Sequence, residues 1–383
     1  MDPFQRLPAE IIQQIIYYIP DFVGLESLLL VSERVQAIFQ YDPCLVGLED
    51  LLASTYISTM PDIPRKFHQV ARIHSQSIGY GTDGDDIDST SENYHMSSAT
   101  LLQMIQIAAQ IQRLACACLF TMRRNFCNAV ETHLALSINN KDFAAPPSWI
   151  EEYRTYWALW HLRHYSDLQK PALDHLSFDD CTTMVQNPDT YAAWNGLTSN
   201  ESLIPRVEEI WAVAAVLADL GLHVSYGSLR HHQQDEPPEA LWDVPQGTPM
   251  PLISSFKLPL QALGYPVWCP PPVPDATVIN DVWDRIVQAS SIPSLVSMFF
   301  RTQVYDILIA RRRTAKCMQD MRPYRRLGTF IWDAWRVYSA GLMLFRVGKI
   351  PTPYGGFIEP SGPGLDKVRM MQTRWAALIG KDL

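Results

Sequence analysis

The sequence predicts an all-α protein: an N-terminal module of short helices followed by a larger, irregular helical domain. Three observations lead there. Apolar residues recur at helical spacing through most of the chain. The breaks fall at prolines and at stretches rich in Gly, Asp and Ser. No convincing set of alternating strands and no repeat of fixed period is present. The 383 residues are 47% hydrophobic and 19% charged, which leaves ample apolar material for a large core.

The first helix is expected from Pro8 to about Ile19. Pro8 suits the first helical position, Glu10 suits the positive end of the helix dipole, and Ile11, Ile12, Ile15, Ile16 and Ile19 form one apolar stripe. Pro20 stops it. Two short helical stretches follow, Leu25 to Leu30 and Glu33 to Phe39, with Ser32 placed to cap the second. Asp42-Pro43 closes this module at residues 1–43. Residues 44–78 read as a helical connector with helices from Leu45 to Thr59 and from Pro64 to Ser77. Residues 79–98 are rich in Gly, Asp, Ser and Asn and read as an acidic, exposed loop.

Residues 99–383 form the larger domain. From Leu101 to about Leu134 there is no proline or glycine, and the apolar period is near 3.6, so a single long helix is expected to be the spine. Ser148-Trp149-Ile150-Glu151 is a capping box opening a further helix, on which Trp149, Tyr153, Tyr156, Trp157, Trp160 and His164 share a face. Another helix runs from Pro205 to Leu220, with Gly221 as its stop. The proline-rich stretch 237–274 reads as an extended strap. Helical pattern resumes at Thr277 to Ala289, Pro293 to Cys317, Pro323 to Arg346, and Leu365 to Ile379.

Composition excludes several function classes. The net charge is -9 and the pI about 5.6, against a chain-wide nucleic-acid footprint. Seven cysteines show neither metal-ligand spacing nor a disulfide framework. The N-terminus lacks a basic region followed by an apolar core, and no apolar run reaches the roughly 20 residues of a membrane span. These features place the protein inside the cell, in the cytoplasm or nucleus, soluble and reduced. The sequon Asn200-Glu201-Ser202 is then expected to stay unmodified.

The motif with functional content lies at the start. Leu7-Pro8-Ala9-Glu10-Ile11-Ile12-Gln13-Gln14-Ile15-Ile16 is followed by Gly24-Leu25-Glu26-Ser27-Leu28-Leu29-Leu30-Val31-Ser32, then by Val35 and Ile38-Phe39. This pattern resembles the F-box. The resemblance covers about a tenth of the chain. It implies a small helical module that binds the Skp-type adaptor of an SCF ubiquitin ligase, and through it a cullin. Carried over residue by residue, the partner-binding set is Leu7, Pro8, Glu10, Ile11, Ile15, Ile16, Leu28, Val31, Val35 and Ile38. At Val35 the family usually carries a bulky aromatic. Physical chemistry is compatible with this: some 35 residues of helix cannot bury ten or more aliphatic side chains alone, so a second surface must cover them, either the rest of this chain, as in the first helices of an ordinary all-α domain, or a partner. Pro147 to Arg154 and Ala158 to Leu162 resemble a segment of many fungal F-box-type proteins, which implies kinship and no activity.

Other constellations carry less. Gly79-Tyr80-Gly81-Thr82-Asp83-Gly84 matches a dinucleotide fingerprint by letter, but no strand precedes it and its aspartates would repel a pyrophosphate. His161 and His164, and His231-His232, lack the partners of a zinc site. Glu151-Glu152 and Glu208-Glu209 sit in first helical turns, where the dipole explains them. The basic cluster of Arg311, Arg312, Arg313, Lys316, Arg322, Arg325 and Arg326 stands out in an acidic chain, with Arg311, Arg312, Arg313, Arg325 and Arg326 as possible substrate-binding residues. It suits a phosphorylated or acidic substrate segment, or else a solvated helix end. No catalytic residue, metal or cofactor is expected. The reading is a non-enzymatic substrate-recruiting adaptor of an SCF-type ligase with an unknown protein target. The alternatives are a scaffold acting without a cullin, or an enzyme with an unrecognised site.

Overall fold

Caps and turns set the helix boundaries in the computed structural model, which describes residues 2–19, 21–41, 62–78, 97–134, 142–169, 207–226, 250–258, 264–265, 267, 322–342 and 365–380. Among these residues 73% are helical and 3% lie in strands, so the all-α class holds at that level. The helices expected at 45–59, 277–289 and 293–317, the acidic loop up to residue 96, and most of the proline-rich strap lie outside the described residues.

Three short helices come first: α1 (Ala9–Tyr17), α2 (Phe22–Val31) and α3 (Glu33–Tyr41). Pro8 stands one position earlier than expected, as the residue before α1. Asp21 caps α2, its Oδ1 accepting from the Gly24 amide at 2.6 Å. Ser32 caps α3 as the sequence indicated, its Oγ accepting from the Val35 amide at 3.1 Å. Helices α1 and α2 each pack on α3. Their shared interior holds Ile12, Ile16, Leu25, Leu29, Val35 and Phe39.

Helix α4 (Asp62–Ile78) leads to the long α5 (Ser98–His133), 36 residues and about 54 Å at 1.5 Å per residue. Ser97 caps α5 through the Thr100 amide. By length and composition α5 could cross a membrane, which the residue-by-residue reading of short apolar stretches did not anticipate. Most of its apolar window is buried inside the protein, where it packs against α2, α4 and two later helices, α6 (Trp149–Leu168) and α7 (Val207–Asp219).

Helix α6 is the enclosed element: every residue from Trp149 to Leu168 is buried. The sequence expected α5 as the spine, and α5 does pack on α2, α4, α6 and α7; of α6 the sequence singled out only one aromatic face. The difference arises because α6 is covered by α4, α5, α7 and a β-ribbon together. Helix α7 ends as expected at Gly221, whose φ of 88° permits the left-handed turn. The Leu222 amide then reaches Leu217 O (3.0 Å) and the Gly221 amide reaches Ala218 O (2.9 Å), so two carbonyls at the helix end are satisfied.

The ribbon itself was not foreseen. Strands β1 (Val224–Tyr226) and β2 (Pro251–Ile253) pair antiparallel, Val224 opposite Ile253. Three residues per strand are too few for alternation to register. The Ile253 amide donates to Ser166 Oγ at 3.0 Å, tying the ribbon to α6.

The stretch expected as one helix from Pro323 to Arg346 is broken. Helix α8 (Arg322–Arg326) stops before Gly328, at φ 71°, and α9 (Ala334–Ser339) restarts where Asp333 caps the Arg336 amide at 2.8 Å. Gly341, at φ 68°, follows α9. Last, α10 (Leu365–Leu378) lies on α5.

Burying all of α6 encloses charges that need partners. Asp167 Oδ2 accepts from Arg163 Nε (2.6 Å) and from His74 Nε2 (2.9 Å), and Gln103 Nε2 donates to His74 Nδ1 (2.9 Å). Lys66, fully buried on α4, donates to Gln69 Oε1 at 2.8 Å and to His164 Nδ1 at 3.5 Å. Burial, and then the Lys66 cation, hold the His164 imidazole well below its ordinary value, against the opposing pull of Asp167. His164 is therefore neutral in the folded protein, while in the unfolded chain it gains a proton as pH falls through about 6.5. The unfolded state binds the extra proton, so stability falls below that pH, by up to about 1.4 kcal/mol per pH unit for one group. Denaturant unfolding of the wild type and His164→Gln between pH 5 and 8 checks this. The variant is expected to flatten the acid slope, and equal slopes would assign it to other groups.

Candidate partner-docking surface

Exposed large apolar side chains concentrate on the first three helices. Among the described residues, all except Val267 and Met370 lie there: Ile11, Tyr17, Tyr18, Leu30, Val31 and Tyr41. The cause is local. Helix α2 has apolar residues on every side, and only one side can face α5. That inner side carries Phe22, Leu25 and Leu29, together with Glu26, which pairs with Arg113 at 2.5 Å. The Val23 amide also donates to Gln112 Oε1 at 3.2 Å. Leu30 and Val31 are left outward, 71% and 62% exposed, where no partner within α1–α3 covers them.

Helix α1 divides in the same way. Ile12 and Ile16 face inward, Ile15 is half-buried, and Ile11 is 42% exposed beside the exposed Pro8 and Glu10. Two contacts bring this end of α1 to the end of α2. Asp2 Oδ2 accepts from Ser32 Oγ at 2.7 Å, and Arg34 Nη1 donates to Gln5 O. These contacts tie the segment that leads into Pro8 and α1 to the link between α2 and α3, directly after Leu30 and Val31 in sequence.

Of the partner-binding residues read from sequence, Pro8, Glu10, Ile11 and Val31 face outward. Leu7, Ile15, Leu28 and Ile38 are half-buried, with Leu7, Leu28 and Ile38 packed on the core. Ile16 and Val35 point inward, where they hold the trio together and present nothing to a partner. Leu30 was missed. Its signal was its place in an uninterrupted Leu-Leu-Leu-Val run, which no single helix face can bury.

The basic cluster looks different in three dimensions. Arg311, Arg312 and Arg313 lie outside the described residues. Arg325 is 1% exposed and does not reach the surface. Its Nε and Nη2 donate to both oxygens of Glu208 at 2.9 Å, and its guanidinium stacks on Trp211 at 4.1 Å. The fork suited to a phosphate is spent within the fold. Arg326 is exposed and lies 3.1 Å from Asp219.

Glu151 also exceeds its dipole role. Glu151 Oε2 accepts from the Ser148 amide (2.8 Å), as a capping box requires, and also from Arg336 Nη2 (2.8 Å). Its Oε1 accepts from Arg336 Nε (2.8 Å) and the Asp333 amide (3.0 Å). Arg336 spends its other N–H groups on Phe143 O, Ala145 O and Pro146 O, at 2.6–2.9 Å. Burial opposes the Arg336 charge, but Glu151 and Asp333 outweigh it and hold the guanidinium above its ordinary value. This is a structural joint with no acceptor left for substrate.

No group of His, Cys, Asp and Glu among the described residues is arranged to hold a metal ion. Cys118 is buried, and that burial pushes its thiol far up, away from the reactive thiolate form. What the arrangement offers is a set of exposed apolar side chains on α1 and α2, Ile11, Leu30 and Val31 among them. No family model matches this chain, and no curated protein or solved structure matches it at a significant level.

Proposed function

We propose that the chain is a substrate-recruiting adaptor of an SCF-type ubiquitin ligase, which docks a Skp-type adaptor through α1–α3 and holds a protein target with its helical remainder. The observation that carries the reading is the gathering of exposed apolar side chains on the segment that resembles an F-box. An apolar helical face laid into a partner's groove is a common recognition mode. The protein would contribute proximity and do no chemistry itself.

The test uses the full chain, because α2 is built into the common core with α5 and its removal would open that core. Purified Skp-type adaptor is titrated against the wild type and against Ile11→Asp with Val31→Asp. Both residues are exposed, so folding should change by no more than about 0.5 kcal/mol each. Two charges in an apolar contact should weaken binding about a hundredfold or more. A wild type that fails to bind refutes the adaptor reading, and a double variant that binds normally refutes this surface. Adding a cullin then separates a ligase subunit from a scaffold that stops at the adaptor.

A further inference from the structure

We infer that the N-terminal segment from Asp2 to Leu7 is a latch that sets the two halves of the docking surface in register, with Asp2 and Ser32 as positioning residues. The inference rests on the docking reading above. Helices α1 and α2 each pack on α3, and the segment that leads into Pro8 is bonded at Ser32, the residue that follows Val31. Asp2 joins the two. One carboxylate oxygen accepts from Ser32 Oγ (2.7 Å) and the other from the Phe4 amide (2.8 Å). Ser32 is nearly fully buried and simultaneously accepts from the Val35 amide, so the carboxylate is tied to the first turn of α3. The segment between is a succession of tight turns, Gln5 N to Asp2 O (3.3 Å) and Leu7 N to Phe4 O (3.1 Å). Arg34 holds Gln5 O from the α3 side, while Phe4 and Leu7 pack on the core. Leu7 runs directly into Pro8 and α1, and Val31 directly into Ser32.

A surface assembled from two elements binds well only when both are already in place, since ordering them on contact opposes affinity. Asp2 supplies that order with two hydrogen bonds. Its loss should therefore loosen the docking surface while leaving the rest of the chain unaffected.

The experiment combines hydrogen exchange and adaptor titration on the full chain, comparing wild type, Asp2→Ala, Ser32→Ala and Ser32→Thr. Asp2→Ala is expected to speed exchange in peptides covering residues 4–12, leave exchange in α5 and α6 unchanged, and weaken adaptor binding five- to tenfold. Ser32→Ala should do the same with some fraying of α3, and Ser32→Thr, which keeps the hydroxyl, should restore binding. If the wild type binds and Asp2→Ala binds equally well, or if exchange at residues 4–12 does not change, the latch is overturned alone. If the wild type binds no adaptor, the docking reading falls and the latch's role falls with it.

Discussion

Replacing Arg336 with alanine is expected to cost about 3–5 kcal/mol of stability, as for one partner removed from a buried ion pair. Glu151 is fully buried at the start of the enclosed helix α6, and Arg336 meets both of its oxygens. Without the guanidinium, that carboxylate keeps only the Ser148 and Asp333 amides, and burial together with Asp333 pushes it towards protonation. Three carbonyls, of Phe143, Ala145 and Pro146, lose their donor at the same time. A domain of ordinary stability has roughly 5–15 kcal/mol in total, so the variant should be marginal. Urea unfolding of the full chain measures the loss. Two further variants keep the test informative if Arg336→Ala does not accumulate. Arg336→Lys retains a charge without the fork and should fall between. Arg336→Met with Glu151→Leu removes both charges and should recover most of the loss. An Arg336→Ala protein within about 1 kcal/mol of wild type would show that α9 is held by something other than this pair.

Gly328→Ala should be the next most damaging change, at about 2–5 kcal/mol, the sum of a backbone cost and a packing cost. The backbone there is at φ 71°, in the left-handed region, which costs a residue with a Cβ about 1–2 kcal/mol. The added Cβ would also stand 2.9 Å from Trp332 Cζ2 and 3.0 Å from Met122 Cβ. Neither neighbour can easily yield. Trp332 is fully buried, its indole N–H donates to Leu327 O at 2.6 Å, and Met122 lies inside α5. Overpacking of this kind costs roughly 1–3 kcal/mol. Gly264→Ala serves as the comparison, because the Cβ it adds would meet nothing within 4 Å and no strained φ is present; its effect should stay within about 0.5 kcal/mol. Thermal unfolding of the two variants side by side checks the expectation, and equal midpoints would mean the turn between α8 and α9 tolerates a side chain.

Of the candidate surface, the sequence supplied Pro8, Glu10, Ile11 and Val31. These are read from a local pattern, and a short helix leaves its outer face where the pattern puts it. Ile16 and Val35 are buried in the structure, and a motif gives the order of residues and not their inward or outward sense. That sense depends on how three helices turn towards one another. It passed over Asp2, thirty positions from Ser32, because nothing in either neighbourhood signals the bond.

What the sequence determined by itself is the helical class, the cap at Ser32, the opening of α6 at Ser148 and the stop of α7 at Gly221. Each of these boundaries is encoded within a few residues, where backbone amides and carbonyls meet neighbouring side chains directly. The tertiary structure alone decided that α6 is enclosed on all sides, that 323–346 breaks at Gly328, and that Arg325 turns inward to Glu208. It also decided that Glu151 meets Arg336, 185 positions away. The physical reason is that burial raises the cost of an unpaired charge far above any local preference. Partners for the charges of α6 were therefore chosen by whichever segments packed against it, and that choice belongs to the whole fold.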